Sequence, residues 1–176
     1  MLEQWLAEEE AIMARMATPP AAGVATREQI AGKNGLEMMQ AMLSGELPAP
    51  PIGKTLDFML IEVSEGRAVF QGTPGFAHYN PLGSVHGGWY AALLDSALGC
   101  AVHTTMPPGR GYTTAELSVN LVRALTTKVQ RVRAEGKVLH SGRQLATAEA
   151  RLIGPDGTLY AHATTTCLVF EPQGGA

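Results

Sequence analysis

The chain predicts an α+β layer in which one long apolar helix is wrapped by about six largely antiparallel strands, preceded by a helical extension. Three observations predict it. The run from Val85 to His103 is almost entirely apolar and of helix length. Strand-like segments lie on both sides of that run, two before it and four after it. The C-terminal half lacks the alternating helices that a doubly wound parallel sheet requires. A helix apolar on every side also needs a sheet curled around it, because a flat sheet covers only one side. The open edges of such a sheet can be extended by a second subunit.

The elements follow in order. Leu2, Trp5, Leu6, Ile12, Met13 and Met16 recur at helical spacing, so residues 2–16 read as an amphipathic helix ended by Thr18-Pro19-Pro20. Thr26 with Gln29 forms a capping-box pattern that opens a short helical stretch. Leu36–Leu43 reads as a further helix, closed by Gly45 and the prolines Pro48, Pro50 and Pro51. Met38, Met39 and Met42 read as core filler rather than a ligand groove. Residues 1–50 lack the apolar mass to fold alone and are expected to form an extension, with the main domain over residues 51–172. Leu56–Val63 and Arg67–Gly72 read as a hairpin about Ser64-Glu65-Gly66, and residues 73–84 as loop. Thr113–Val122, Lys128–His140, Gln144–Ile153 and Thr158–Phe170 read as strands, with turns at Ser141-Gly142 and Pro155-Asp156-Gly157.

Bulk properties narrow the function classes. A length of 176 residues fits one domain able to bury its own core. Net charge −3 and a pI near 5.9 leave no footprint for nucleic acid or an anionic membrane. Val85–Val102 is about long enough to span a bilayer, but Asp95, His86 and the glycines argue for a helix wrapped by protein. The two cysteines, Cys100 and Cys167, form no C-x-x-C pair, and the acidic N-terminus is not a signal or transit peptide, so a reduced, cytoplasmic location is expected. His78, His103, His140 and His162 show no metal-ligand spacing, and no metal is expected. Neither a P-loop, a dinucleotide fingerprint nor a G-x-S-x-G elbow is present.

The chemistry concentrates at the long helix. Asp95 is the only carboxylate between Ser84 and His103, and a carboxylate on an all-apolar helix is costly unless paired or used. Gly87 and Gly88 open the helix, where free backbone N–H groups can hold an oxyanion; close packing against a strand explains them equally. Asp95 likewise reads either as a carboxylate that drives attack on a carbonyl or as a partner for a Ser or Thr hydroxyl across a dimer seam. Eight residues separate Gly87 from Asp95, about 12 Å along the helix and roughly 80° around it. An oxyanion donor and an attacking group must both sit about 3 Å from one reacting centre. If both residues are catalytic, Gly87 of one chain must face Asp95 of another.

Asn80-Pro81-Leu82-Gly83-Ser84-Val85-His86-Gly87-Gly88, followed by Asp95, resembles the hot-dog-fold acyl-CoA thioesterases of the PaaI-like group, and the resemblance extends over about residues 50–170. It implies a hot-dog fold, with the long helix inside a curled antiparallel sheet. By the family pattern Gly87 polarises the thioester carbonyl, and Asp95 of the facing subunit acts as nucleophile or general base. Asn80 holds the attacking water or acid, His86 orients Asn80 or its loop, and Thr114 supplies a hydroxyl that positions the water. A histidine beside Gly-Gly also reads as a helix cap, and Asn80 before a proline as an ordinary turn residue. For substrate binding the resemblance implicates Gly88, Tyr90 and the His140-Ser141-Gly142-Arg143 turn, the last near the nucleotide.

Arg123, Lys128, Arg131, Arg133, Lys137 and Arg143 read as a solvated strand face or as a basic rim for coenzyme A phosphates. Trp89, Tyr90 and Leu93 line an acyl pocket or belong to the core. The expected activity is hydrolysis of a small or medium, and conceivably aromatic, acyl-CoA, with no cofactor. The expected assembly is a homodimer with composite sites, and a tetramer is anticipated. A hot-dog enoyl-CoA hydratase is disfavoured because Cys100 stands where that subgroup has histidine. The alternative from another class is a non-catalytic acyl-CoA-binding or regulatory module.

Overall fold

The computed structural model describes residues 1–15 and 22–171. Among the described residues the order is α1 (Leu2–Arg15), α2 (Arg27–Ile30), α3 (Gly35–Ser44), α4 (Pro51–Leu56), β1 (Phe58–Ser64), β2 (Arg67–Gly72), a 3-10 turn (Phe76–His78), α5 (Gly87–His103), β3 (Gly111–Leu121), β4 (Val132–Ser141), β5 (Leu145–Ile153) and β6 (Leu159–Phe170). Met16 and Thr18-Pro19-Pro20, expected to end the first helix, lie outside the described residues. The six strands form one antiparallel sheet in the order β1-β2-β4-β5-β6-β3, curled around α5. This is the hot-dog architecture.

The sheet admits the helix because its inner face is made of small residues. The paired positions Ala68–Gly136, Gly136–Ala150 and Ala150–Ala163 line up as one rung across four adjacent strands. The middle of α5 lies in the resulting trough: a Cβ added to Gly136 would stand 2.3 Å from the Ala97 carbonyl oxygen. Leu93, Leu94, Ala97, Leu98, Ala101 and Val102 are all fully buried there. With the core closed on one side of the helix, Asp95 and Ser96 fall on the other, half-buried.

Three local features depart from the sequence expectations. Residues 51–56 are helical rather than the approach to a strand; Pro51 occupies the first helical position, where its missing N–H has no intrahelical partner to lose. β4 starts at Val132, because Thr126–Val129 closes a turn in which the Val129 N–H donates to the Thr126 carbonyl. β3 carries a bulge at Ala115, between the pairs Thr114–Cys167 and Glu116–Thr166. The bulge switches the inward positions from Tyr112 and Thr114 to Leu117 and Val119. The buried Thr165 hydroxyl secures it by donating to the Glu116 carbonyl at 2.7 Å.

The N-terminal helices form an arm fastened to the roll. α3 is opened by a capping box between Asn34 and Glu37, and its first residue docks on the end of α5, where the Gly35 N–H donates to the Met106 carbonyl. A Cβ at Gly35 would overlap the His103 carbonyl oxygen at 1.7 Å, so only glycine permits this approach. α1 is clamped to β2 and β4. Glu9 receives Arg131 at 2.7 and 3.1 Å and the Gln71 amide at 2.5 Å, Glu8 receives Arg133 at 2.6 Å, and the Arg133 guanidinium lies 4.5 Å over the Trp5 ring.

Candidate active site

Asp95 sits at one end of a cavity of about 800 Å³ between the open side of α5 and the arm. The Thr114 hydroxyl donates to its Oδ1 at 3.0 Å, from the residue just before the β3 bulge. The bulge thus aims a strand hydroxyl at the helix carboxylate. Ser96 and Cys100 share this end of the cavity. Ser96 is committed to the Ala92 carbonyl at 2.8 Å. Burial, with the Asp95 charge adding to it, pushes the Cys100 thiol up to about 12. A thiol so disfavoured as thiolate has little nucleophilic character.

At the other end of α5, Gly87 is the first helical residue and its N–H has no hydrogen-bond partner among the described residues. The next N–H, that of Gly88, is occupied by the His86 ring, whose Nδ1 accepts it at 2.9 Å. His86 therefore caps the helix and makes no bond to Asn80. Asn80 spends its side chain on its own loop: Oδ1 accepts from the Leu82 and Ser84 N–H groups at 2.9 and 3.3 Å, and Nδ2 donates to the Ser84 hydroxyl at 3.1 Å. These bonds shape the turn that delivers the chain to Gly87. Gly87 also packs closely, since a Cβ there would meet the Leu121 side chain at 2.9 Å. An unpartnered N–H and a close side-chain contact thus coexist at this glycine.

Other expected site residues lie elsewhere. Tyr90 is 2% exposed, with its hydroxyl donating to the Arg123 carbonyl at 3.2 Å; it lines no part of the cavity and is a core residue. Trp89 and Leu93 are core as well, the Trp89 indole N–H donating to the Leu56 carbonyl at 2.7 Å. The His140-Ser141-Gly142-Arg143 turn lies past the C-terminal end of α5, joined to it by a 2.7 Å bond between the Ser141 and Thr105 hydroxyls, and is away from the cavity. Arg131 and Arg133, two members of the expected basic rim, are engaged by Glu9 and Glu8 and are not free to meet phosphates. Conversely, Met42 lines the cavity where core filler is expected, while Met39 borders the cavity yet is 2% exposed, as a core residue is. Their helical spacing was visible, but the void beside them exists only in the folded chain. Among the described residues no three His, Cys, Asp or Glu side chains converge on a metal position, and no helix is long and apolar enough to cross a membrane.

Comparison with known proteins agrees with this architecture. Residues 82–161, which contain Gly87, Asp95 and Thr114, match the family model of the thioesterase superfamily. Among solved structures, a phenylacetic acid degradation-related protein from Ralstonia eutropha is 29% identical, with TM-score 0.67 over 74% of this chain and 98% of its own. A thioesterase family protein from Silicibacter pomeroyi is 26% identical, with TM-score 0.63 over 69% of this chain and 90% of its own. An Asn-to-Asp mutant of the phenylacetic acid degradation protein PaaI from Thermus thermophilus is 27% identical, with TM-score 0.60 over 67% of this chain and 97% of its own. A search of curated proteins finds no match. By motif, fold and these likenesses, the chain has the hot-dog fold and is similar to PaaI-like proteins of the thioesterase superfamily.

Proposed function

We propose that the protein is an acyl-CoA thioesterase acting as a homodimer, with Gly87 of one chain and Asp95 of the other in each site. The observation that carries the reading is the pairing of an unpartnered Gly87 N–H with an Asp95 carboxylate held by Thr114 at the end of a cavity. Within one helix the two are about 12 Å apart, too far to serve one carbonyl. The unpaired β3 edge supports the dimer: it is an eleven-residue strand at the end of the sheet with no residue fully buried. In the proposed reaction the Gly87 N–H, at the positive end of α5, stabilises the oxyanion that forms on the thioester carbonyl. Asp95 either takes a proton from water as it attacks or attacks itself, and Thr114 fixes the carboxylate oxygen for either route. The C–S bond then breaks, and acyl-CoA plus water gives the carboxylic acid and free coenzyme A. A thiolate leaves without strong acid assistance, so neither a Ser-His-Asp triad nor a cofactor is required. Two free cysteines support a cytoplasmic setting.

The test is complementation. Gly87→Pro removes the N–H at the first helical position, where the backbone suits proline and His86 before it is already extended at ψ 138°; the exposed end of Leu121, 2.9 Å from the added Cβ, must turn aside. Gly87→Pro and Asp95→Asn homodimers are each expected to be inactive in a thiol-release assay across acyl-CoAs. Mixed one to one and reassembled, half of the dimers carry one intact site, restoring about a quarter of wild-type activity. No thiol release by wild type, a fully active Asp95→Asn, or no recovery on mixing overturns the reading. Tight acyl-CoA binding without turnover identifies a binding module instead.

A further inference from the structure

The cavity is much larger than a carbonyl needs. About 800 Å³ lies high in the range of roughly 300–1,000 Å³ spanned by small-molecule sites. A two-carbon acyl group would leave most of it to solvent, and the space equals roughly 25 waters. Its walls are unsuited to water. Phe58, Leu60 and Phe70 come from β1 and β2, and Met39, Met42 and Leu43 from α3. Of the polar lining, Asp95 and Thr114 mark the reactive end, and Glu9 and Gln71 are consumed by the clamp on Arg131 and Arg133. The charged pair Lys54 and Asp57 is exposed, on the solvent side.

Half of the lining residues precede β1. These solved relatives are covered almost whole, over 90–98% of their length, while between a quarter and a third of this chain has no counterpart in them, a share similar in size to the arm. The wall is also rigidly placed, by the Gly35 contact with α5 and by the Glu8 and Glu9 clamp.

Resting on the thioesterase reading above, we infer that the arm forms the outer wall of the acyl pocket and that the preferred substrates carry a medium-to-long aliphatic acyl group. The acyl tail runs from Asp95 along α3, and Met42 and Leu43 determine how much chain is accepted. Methionine suits this role, because an unbranched, polarizable side chain moulds to tails of differing length.

The experiment measures kcat/KM for thiol release from saturated acyl-CoAs of two to sixteen carbons and from phenylacetyl-CoA, for wild type, Met42→Trp and Met42→Ala. Wild type is expected to rise about fourfold per methylene through the mid-length chains, as buried methylenes do. Met42→Trp should lower the ratio of twelve-carbon to four-carbon activity by fiftyfold or more, and Met42→Ala should move the optimum to longer chains. Opposite shifts cannot arise from misfolding. A wild-type profile that is flat or falling beyond four carbons, or variants that lower all lengths equally, overturns the inference. Calorimetry with non-hydrolysable S-alkyl-CoA thioethers separates the two readings: an enzyme inert on every thioester refutes catalysis, while chain-length-dependent thioether binding lost in Met42→Trp still supports the pocket, and length-independent binding refutes it.

Discussion

Gly136→Ala is the sharpest test of how the helix sits in the sheet. The new Cβ would lie 2.3 Å from the Ala97 carbonyl oxygen, 2.5 Å from its carbon and 2.9 Å from the Leu98 nitrogen, whereas ordinary contact begins at 3.4 Å. All three atoms are helix backbone, so no side chain can swing aside, and α5 must retreat by about 1 Å. Overpacking of this kind costs about 1–3 kcal/mol, and a backbone obstacle places it near 3 kcal/mol. Replacing glycine in a strand returns roughly 0.5–1 kcal/mol of chain entropy, leaving a net loss of about 2 kcal/mol. For a chain of this size that lowers Tm by about 4–8 °C. Asp95 lies two residues from Ala97, so the retreat also stretches the 3.0 Å bond to Thr114 toward 4 Å, and kcat should fall with stability. Thermal unfolding by circular dichroism at fixed protein concentration, with thiol-release kinetics, reads both. A Tm within about 2 °C of wild type together with unchanged kcat would refute the close-approach geometry.

The remaining predictions concern the site and the arm. Thr114→Val removes the hydroxyl that bonds Asp95; a hydrogen bond to a charged group is worth about 1.5–3 kcal/mol, so kcat should drop about 10- to 150-fold with a smaller change in Tm, and Thr114→Ser should recover most of it. Glu9→Ala takes the carboxylate acceptor from Arg131 and the Gln71 amide, leaving them the Gln130 and Trp5 carbonyls; a loss of about 1–3 kcal/mol is expected, seen in urea unfolding and as faster proteolysis of α1. Stability should fall in two steps on acidification. Burial lowers the His103 pKa below its ordinary 6.5, so the unfolded chain binds that proton more readily and stability is lost as pH drops below 6.5. Glu8 is held low by the Arg133 hydrogen bond; at Glu9 burial pushes upward but is outweighed by Arg131 and Gln71. Their contribution is complete above 4.5 and lost as pH falls below it. Tm measured from pH 8 to pH 3 checks both windows, and His103→Gln should abolish only the first.

The roll was legible in the sequence because its signals are local. An apolar run of helix length, turn residues between β-rich segments and a capping box each act within a few residues. The elements misread are those where composition and conformation part. Pro51-Ile52-Gly53 has the composition of a loop, yet proline is compatible with the start of a helix; Lys128 and Val129 lead into a β-rich run but belong to a turn. The placement of Asp95 on an otherwise apolar helix was legible, and so was the distance that separates it from Gly87. Its bond to Thr114 depends on the Ala115 bulge, which reverses the alternation partway along β3 and leaves no local trace. The cavity and the clamp were hidden for a plainer reason: each is made by segments far apart in the chain, and Glu8 and Glu9 carry no mark of the arginines they meet.

That clamp has a consequence for how the molecule comes into being. Glu9 and Arg131 are 122 positions apart, and Glu8 and Arg133 are 125. At a synthesis rate of about 5–20 residues per second, α1 waits roughly 6–25 s for its partners to be made. During that interval Trp5 and Ile12 have no sheet to cover them. The arm leaves the ribosome ahead of the sheet it docks on and is among the last segments to find its place, so the nascent chain completes α5 before it closes the wall beside that helix.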